Sequence, residues 1–312
     1  MDFRLSEDQL ILTEGVRDFL SGTHGPDVLR RLDEQDNRDD SIWQGLTEMG
    51  LPGLLVPEDQ GGLGLSLLDA ALIAKECGRA ALAEPLVDTA FVGVPWLIRR
   101  GERDMLGDIA AGNHKVALAH TINGWVADGN AGGEPLQSVD SMRNLSSLPA
   151  DASDDETLLN FGALMSAAQL LGLAEAMLDQ TVEYAKIRNQ FGQPIGAFQA
   201  VKHHLATARV KTEFAAPVVW RAAQAMDDES SNAAIAISHA KIAAGDTAWA
   251  VSETAIQIHG AMGYTYEVDL HFWMKRSWAL AGAWGDRAFH LRRIDDAVIG
   301  GGMPIGPQHT FI

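Results

Sequence analysis

Apolar residues recur every three or four positions along most of this chain, and the pattern lapses only between about residues 112 and 149. Ser6-Glu7-Asp8-Gln9 reads as a capping box ahead of Leu10, Ile11, Val16, Phe19 and Leu20, which predicts an amphipathic helix. The charged run from Arg30 to Asp40 predicts a solvated helix end and loop. Ser41 with Gln44 repeats the capping signal before Ile42, Trp43, Leu46 and Met49, and Gly50 and Pro52 close that helix. Residues 67–78 and most of 87–109 are helical again, so the first third reads as a helical domain.

Between 112 and 149 the composition turns to Gly, Asn, Ser and Pro with short apolar runs such as Val116–Ala119, the signature of strands and loops. Ser153-Asp154-Asp155-Glu156 is a third capping box, and the helical period then holds almost to the end. Leu164, Ala168, Leu171, Leu178, Val182 and Ala185 form one stripe, and Val201, Leu205, Ala208, Thr212, Ala215 and Val219 another. Ile235, Ile242, Trp249 and Ile256 fall one heptad apart, with Ser238, Gly245 and Ser252 between them, where small residues allow close helix approach. Helices over 270–281 and 284–299 complete a four-helix bundle and leave a Gly-Pro-rich tail suited to reach a neighbouring subunit. Three regions result: a helical domain over 1–112, a short β-like segment over 113–152, and a bundle over 153–312.

Composition narrows the function classes. With 312 residues and 46% hydrophobic content, the chain can bury one or two cores. Its net charge of −18 opposes binding to nucleic acid or an anionic membrane, both of which need a basic face. The lone Cys77 rules out an intramolecular disulfide framework and suits a reducing compartment. An acidic start and the lack of any evident 18-residue apolar stretch argue against a secretory signal or membrane span, so a cytoplasmic protein is expected. No metal-ligand spacing appears among the ten histidines, and no nucleophile elbow is present. The Gly61-Gly62-Leu63-Gly64 run lacks the Lys-Ser/Thr of a phosphate loop and reads as a tight turn.

The most informative stretch is Y-A-K-I-R-N-Q-F-G-Q-P-I-G-A-F-Q-A-V-K-H-H-L, residues 184–205. Gly192, Pro194 and Gly196 make it a corner between two helices, and Arg188, Gln190, Phe191 and Gly192 suit a planar anionic ligand. R-x-x-F-G-x-P-I followed by F-Q resembles the signature of the acyl-CoA dehydrogenases, flavoproteins that desaturate acyl-CoA thioesters between the α and β carbons. The segments Q-I-H-G-A-M-G-Y-T (257–265) and W-Q-G-L-T-E-M-G-L-P-G-L-L-V-P-E-D-Q-G-G-L-G-L-S (43–66), the latter continuing into E-C-G-R at Glu76–Arg79, carry the same resemblance in the family's order.

The resemblance implies a mainly α, acyl-CoA dehydrogenase-like fold and an FAD site shared between subunits. Arg188, Gln190, Phe191, Gln257, Gly260 and Gly263 would hold the ADP half of a flavin seated mainly in a neighbour, with Ala261 in place of a family Gly. The family's catalytic Glu comes from one of two places, which fall here on Trp284 and Gly162, neither able to take a proton; Asp286 is the nearest substitute acid, at a position where acids also serve as helix caps. Family arginines near the thioester fall on Ala163 and Phe272. The middle region is too short for the family's β-barrel and lacks its T-E-x-x-x-G-S-D segment. The resemblance therefore extends to the short, base-lacking subunit of heteromeric, steroid side-chain-type enzymes, paired as α2β2 with a full-length catalytic chain that takes the acyl-CoA. A self-sufficient homomeric enzyme with a displaced base, and a flavin-free structural or regulatory relative, are the alternatives.

Overall fold

A computed structural model of the chain describes residues 4–35, 38, 40–127, 133–303 and 306. Eleven helices and five short strands are described, in three successive regions. The first comprises α1 (Glu7–Thr23), α2 (Pro26–Gln35), α3 (Asp40–Glu48), α4 (Leu67–Arg79), a π-helical segment Val87–Gly93, α5 (Val94–Arg100) and α6 (Leu106–Ala110). The Ser6–Gln9 capping box forms, both bonds present. Of its predicted core face, however, only Val16 and Leu20 are buried; Leu10 and Ile11 are exposed. α3 begins one residue before the predicted cap, at Asp40, so Ser41 lies inside the helix. The charged run is helical as far as Gln35 and buries Leu32 in passing.

The middle region holds β1 (Trp125–Ala127), β2 (Pro135–Leu136) and β3 (Leu145–Ser147), an antiparallel sheet ordered β1-β3-β2 with Val126 opposite Ser146 and Leu136 opposite Leu145. Val116–Ala119 joins no strand. So small a sheet needs outside support. It comes from the buried ion pair of Asp140 with Arg276, whose Nη1 also donates to the Leu82 carbonyl at 2.6 Å. Arg38 Nη2 donates to the Met142 carbonyl at 2.7 Å.

The last region is the bundle: α7 (Glu156–Ile187), α8 (Gln199–Asp227), α9 (Ala233–His259), α10 (Leu270–Gly282) and α11 (Arg287–Val298). α7 is long and apolar enough to cross a membrane, contrary to the reading of the sequence, but 94% of that stretch is buried inside the protein. It is the central rod, flanked by α4, α8, α9 and α10. α4 approaches it closely because Gly78 and Gly172 sit where a Cβ would strike the other helix's backbone.

Three expectations shift in this region. The α7 cap is Asp155, not Ser153; the last helix starts at Arg287, leaving Trp284 in the connection; and the α9 heptad faces outward. The predicted reach of the tail concerns residues 304–305 and 307–312, outside those described. The Asp155 carboxylate accepts from the Thr157 amide at 2.7 Å and from Trp96 Nε1 at 2.8 Å. Burial alone would raise its pKa, but these bonds outweigh burial and hold it below the ordinary carboxylate value. Asp155→Ala should therefore cost roughly 1 to 2 kcal/mol at neutral pH. Because the folded-state pKa is depressed, the contribution exists above the unfolded pKa and fades as pH falls through the folded one. Urea unfolding of both proteins at pH 7 and pH 3 should show the gap closing in acid.

Candidate functional site

Two segments named from the sequence meet at one end of the bundle. α7 and α9 finish side by side, with the Tyr184 ring stacked on His259 at 4.2 Å between centroids. Just past Tyr184, Arg188 caps α7, and Asn189–Gln190 pairs with Gln193–Pro194 in a miniature hairpin. Its tip is Phe191 and Gly192, with φ of 54° and 83°, the left-handed pair of a two-residue hairpin turn. Phe191 is 92% exposed, its ring touched edge-on by Phe198. Just past His259, Gly260 has φ 61° and ψ −137°, a conformation open essentially to glycine alone, and nothing lies within 4 Å of where its Cβ would stand.

Arg188, Gln190 and Gln257 are exposed beside this open backbone, while Gly263 is buried against Ile256 and His259. Arg188 makes no ion pair among the described residues. The Gln190 amide donates only to the neighbouring Asn189 carbonyl, at 2.8 Å. A cation, two amides, a ring and two Cβ-free backbone points thus face solvent together, an arrangement able to receive a phosphate and a planar base.

The two positions matched to the family's base lie elsewhere, and they touch each other. Trp284 is 3% exposed, and its indole covers Gly162 so closely that a Cβ there would come nearer than 3.0 Å to the ring. Gly162 is therefore glycine because of Trp284. Phe161, Ala163 and Phe272 are buried too. Asp286 instead caps α11, accepting from the Phe289 amide at 2.7 Å with its side chain at the surface.

The Trp284 backbone is left-handed, φ 58°, which costs about 1 to 2 kcal/mol for a residue with a Cβ. It holds because partners from the middle region and the bundle grip it. The Trp284 amide donates to Asn123 Oδ1 at 2.6 Å, and His290 Nε2 donates to the Trp284 carbonyl at 3.0 Å while Nδ1 meets Ser238 Oγ at 3.1 Å. Burial, with Lys241 nearby, lowers His290 to about 4, so the ring is neutral and can play both parts. Buried Lys241 donates to the Leu280 and Ala281 carbonyls at 2.7 and 3.0 Å, closing the C-terminus of α10 just before the Trp284 turn. Burial lowers this lysine to about 7, against the pull of Asp286. Reading the sequence did not single out Asn123, His290 or Lys241. Lys241 amid an alanine-rich helical face was the one visible signal.

Residues 6–105 match the acyl-CoA dehydrogenase N-terminal domain and 154–299 the C-terminal domain. Acyl-CoA dehydrogenase IpdE2 of Mycobacterium tuberculosis is 32% identical over 316 residues, covering 94% of this chain and 98% of that protein. One chain of the ChsE4-ChsE5 complex of the same organism superposes with a TM-score of 0.82 at 21% identity, covering 98% of this chain and 100% of that one. A Tcur3481-Tcur3483 steroid ACAD gives 0.80 at 23%, covering 95% and 99%. The chain belongs to the acyl-CoA dehydrogenase family.

Proposed function

We propose that this chain is the short, non-catalytic subunit of a heteromeric FAD-dependent acyl-CoA dehydrogenase, and that it completes the ADP side of a flavin site seated mainly in a full-length partner. The observation that carries this reading is the Trp284 indole packed on Gly162. α,β-Desaturation of an acyl-CoA needs a carboxylate at the α carbon. Both places matched to that base are apolar, and the space between them is filled. Asp286 is committed to capping a helix, which disfavours a self-sufficient enzyme with a displaced base.

The open end of the bundle, by contrast, fits the ADP half of FAD. Arg188 would donate to the pyrophosphate, Phe191 would pack on adenine, Gln190 and Gln257 would bond the polar rim, and Gly260 leaves room for close backbone approach. The ring side does not fit, because the residues that could face it are buried among themselves. Bound FAD supplies the hydride acceptor of the reaction; this chain's part is to bind and orient, with base and thioester contacts left to the partner.

A two-chain relative, ChsE4-ChsE5, and one described as a steroid ACAD support pairing with a second chain and a bulky acyl-CoA of steroid type; the assembly we propose is α2β2. A cytoplasmic location accords with this role. The test is expression of the chain alone and together with a full-length family member from the same genome, followed by flavin absorbance per chain. Alone, it should carry little FAD; the complex should carry one per pair. Stoichiometric flavin in the isolated chain would sink the proposal.

A further inference from the structure

The heptad Ile235, Ile242, Trp249, Ile256 does not enter the bundle. α9 turns alanines inward instead, with Ala236, Ala240, Ala244, Ala248 and Ala255 all buried, and this lets α7 and α8 lie close. The three isoleucines are left half-buried, and Trp249 is 56% exposed. A stripe of large apolar residues at a strict seven-residue spacing on an outer helix face is what a second helix packs against.

The stripe leads somewhere at each step. Ile256 forms the wall of a cavity of about 220 Å³ with Tyr264, Tyr266, His271, Met274 and Trp278. A dry cavity of about 150 Å³ holds benzene, so this one takes a large side chain. One turn beyond Ile256, on the same face, lies Gly260 of the proposed flavin end, and Gln257 directly follows Ile256 in the chain. Glu253, exposed between Trp249 and Ile256, has no cationic partner among the described residues. Asp246, two turns before Glu253, is held by Arg287 at 2.8 Å.

We propose that this face of α9 docks a helix of the full-length partner, which lays an apolar ridge along Ile242, Trp249 and Ile256, sets one large side chain into the Tyr264–Trp278 cavity, and places a basic residue opposite Glu253. This rests on the function proposed above. Its occupant is argued from three things: the helical spacing of the stripe, the unpaired acid beside it, and its continuity with the surface that would meet the partner's flavin. A partner lying along the seam brings its cofactor to the seam's end.

The experiment uses the complex with the full-length chain that restores flavin binding on co-expression. Trp249→Glu puts a charge in the seam, while Leu10→Glu, on the exposed face of α1, puts the same charge on an apolar surface away from it. Sedimentation should show the Trp249→Glu complex dissociating about thirtyfold or more readily, as at a central interface anchor, with Leu10→Glu near wild type. The isolated Trp249→Glu chain should melt within a few degrees of wild type, since the residue leaves the core untouched. A flavin-bearing complex that is indifferent to Trp249→Glu overturns the seam and leaves the proposed function standing. Failure of every full-length chain to form a complex overturns both. Should Trp249→Glu split only a self-dimer of this chain, the occupant is a second copy and the proposal is wrong.

Discussion

Gly162→Ala should destabilise the isolated chain by roughly 2 to 3 kcal/mol, the cost of forcing one extra carbon into a full core. In a Trp284→Gly background, the same substitution should turn stabilising by up to about 1 kcal/mol. The reversal follows from what stands over residue 162. With the indole present, a Cβ would overlap the ring, and Trp284 cannot swing away because its amide and carbonyl are held by Asn123 and His290. With the indole gone, the three atoms nearest a Cβ at 162 are gone with it, and the better helix propensity of Ala then counts. Trp284→Gly itself should cost about 3 to 5 kcal/mol for the void, less what glycine recovers at φ 58°. Urea unfolding of the four proteins measures the coupling. Additivity within about 0.5 kcal/mol would mean that the indole does not sit on Gly162.

Arg188→Ala should lower FAD affinity of the co-purified complex about tenfold to a hundredfold, leaving assembly intact. A charge-assisted bond to pyrophosphate contributes roughly 1.5 to 3 kcal/mol, which is that range of dissociation constants. The exposed guanidinium makes no ion pair among the described residues, so its removal leaves no buried group unpaired. Arg188→Lys should recover part of the loss, because an ammonium keeps the charge and lacks the planar fork. Flavin release is followed by fluorescence with the partner chain unaltered. Equal retention by wild-type and Arg188→Ala complexes would show Arg188 to be a surface charge with no cofactor to hold.

Local chemistry was legible wherever one residue decides the matter. The Ser6–Gln9 box, the αL glycine at Gly50 and the corner at Gly192 each act within a few residues, and each forms. Where two neighbours compete, the sequence cannot choose: Ser153 and Asp155 are both good caps, and Asp155 prevails with the added bond from Trp96. The α9 stripe misleads for a deeper reason. Hydrophobic periodicity weighs isoleucine above alanine, but tight helix packing selects the smaller side chain, so the strongest pattern marks the outer face. The fate of the base positions was half visible. A Trp and a Gly in place of Glu could be read directly, whereas their mutual contact depends on α7 and the α10–α11 connection converging in space, which no local pattern records.

That contact also bears on history. An ancestor with a carboxylate at either position could lose it in one step, but the return path is longer. A Glu placed at 162 would run into the indole, and removing the indole first opens a void costing about 3 to 5 kcal/mol, a large share of what a folded chain has to spare. Each single reversion thus descends in fitness before any activity could reward it. On the function proposed above, packing Trp284 onto Gly162 works as an evolutionary ratchet that keeps the chain in a supporting role.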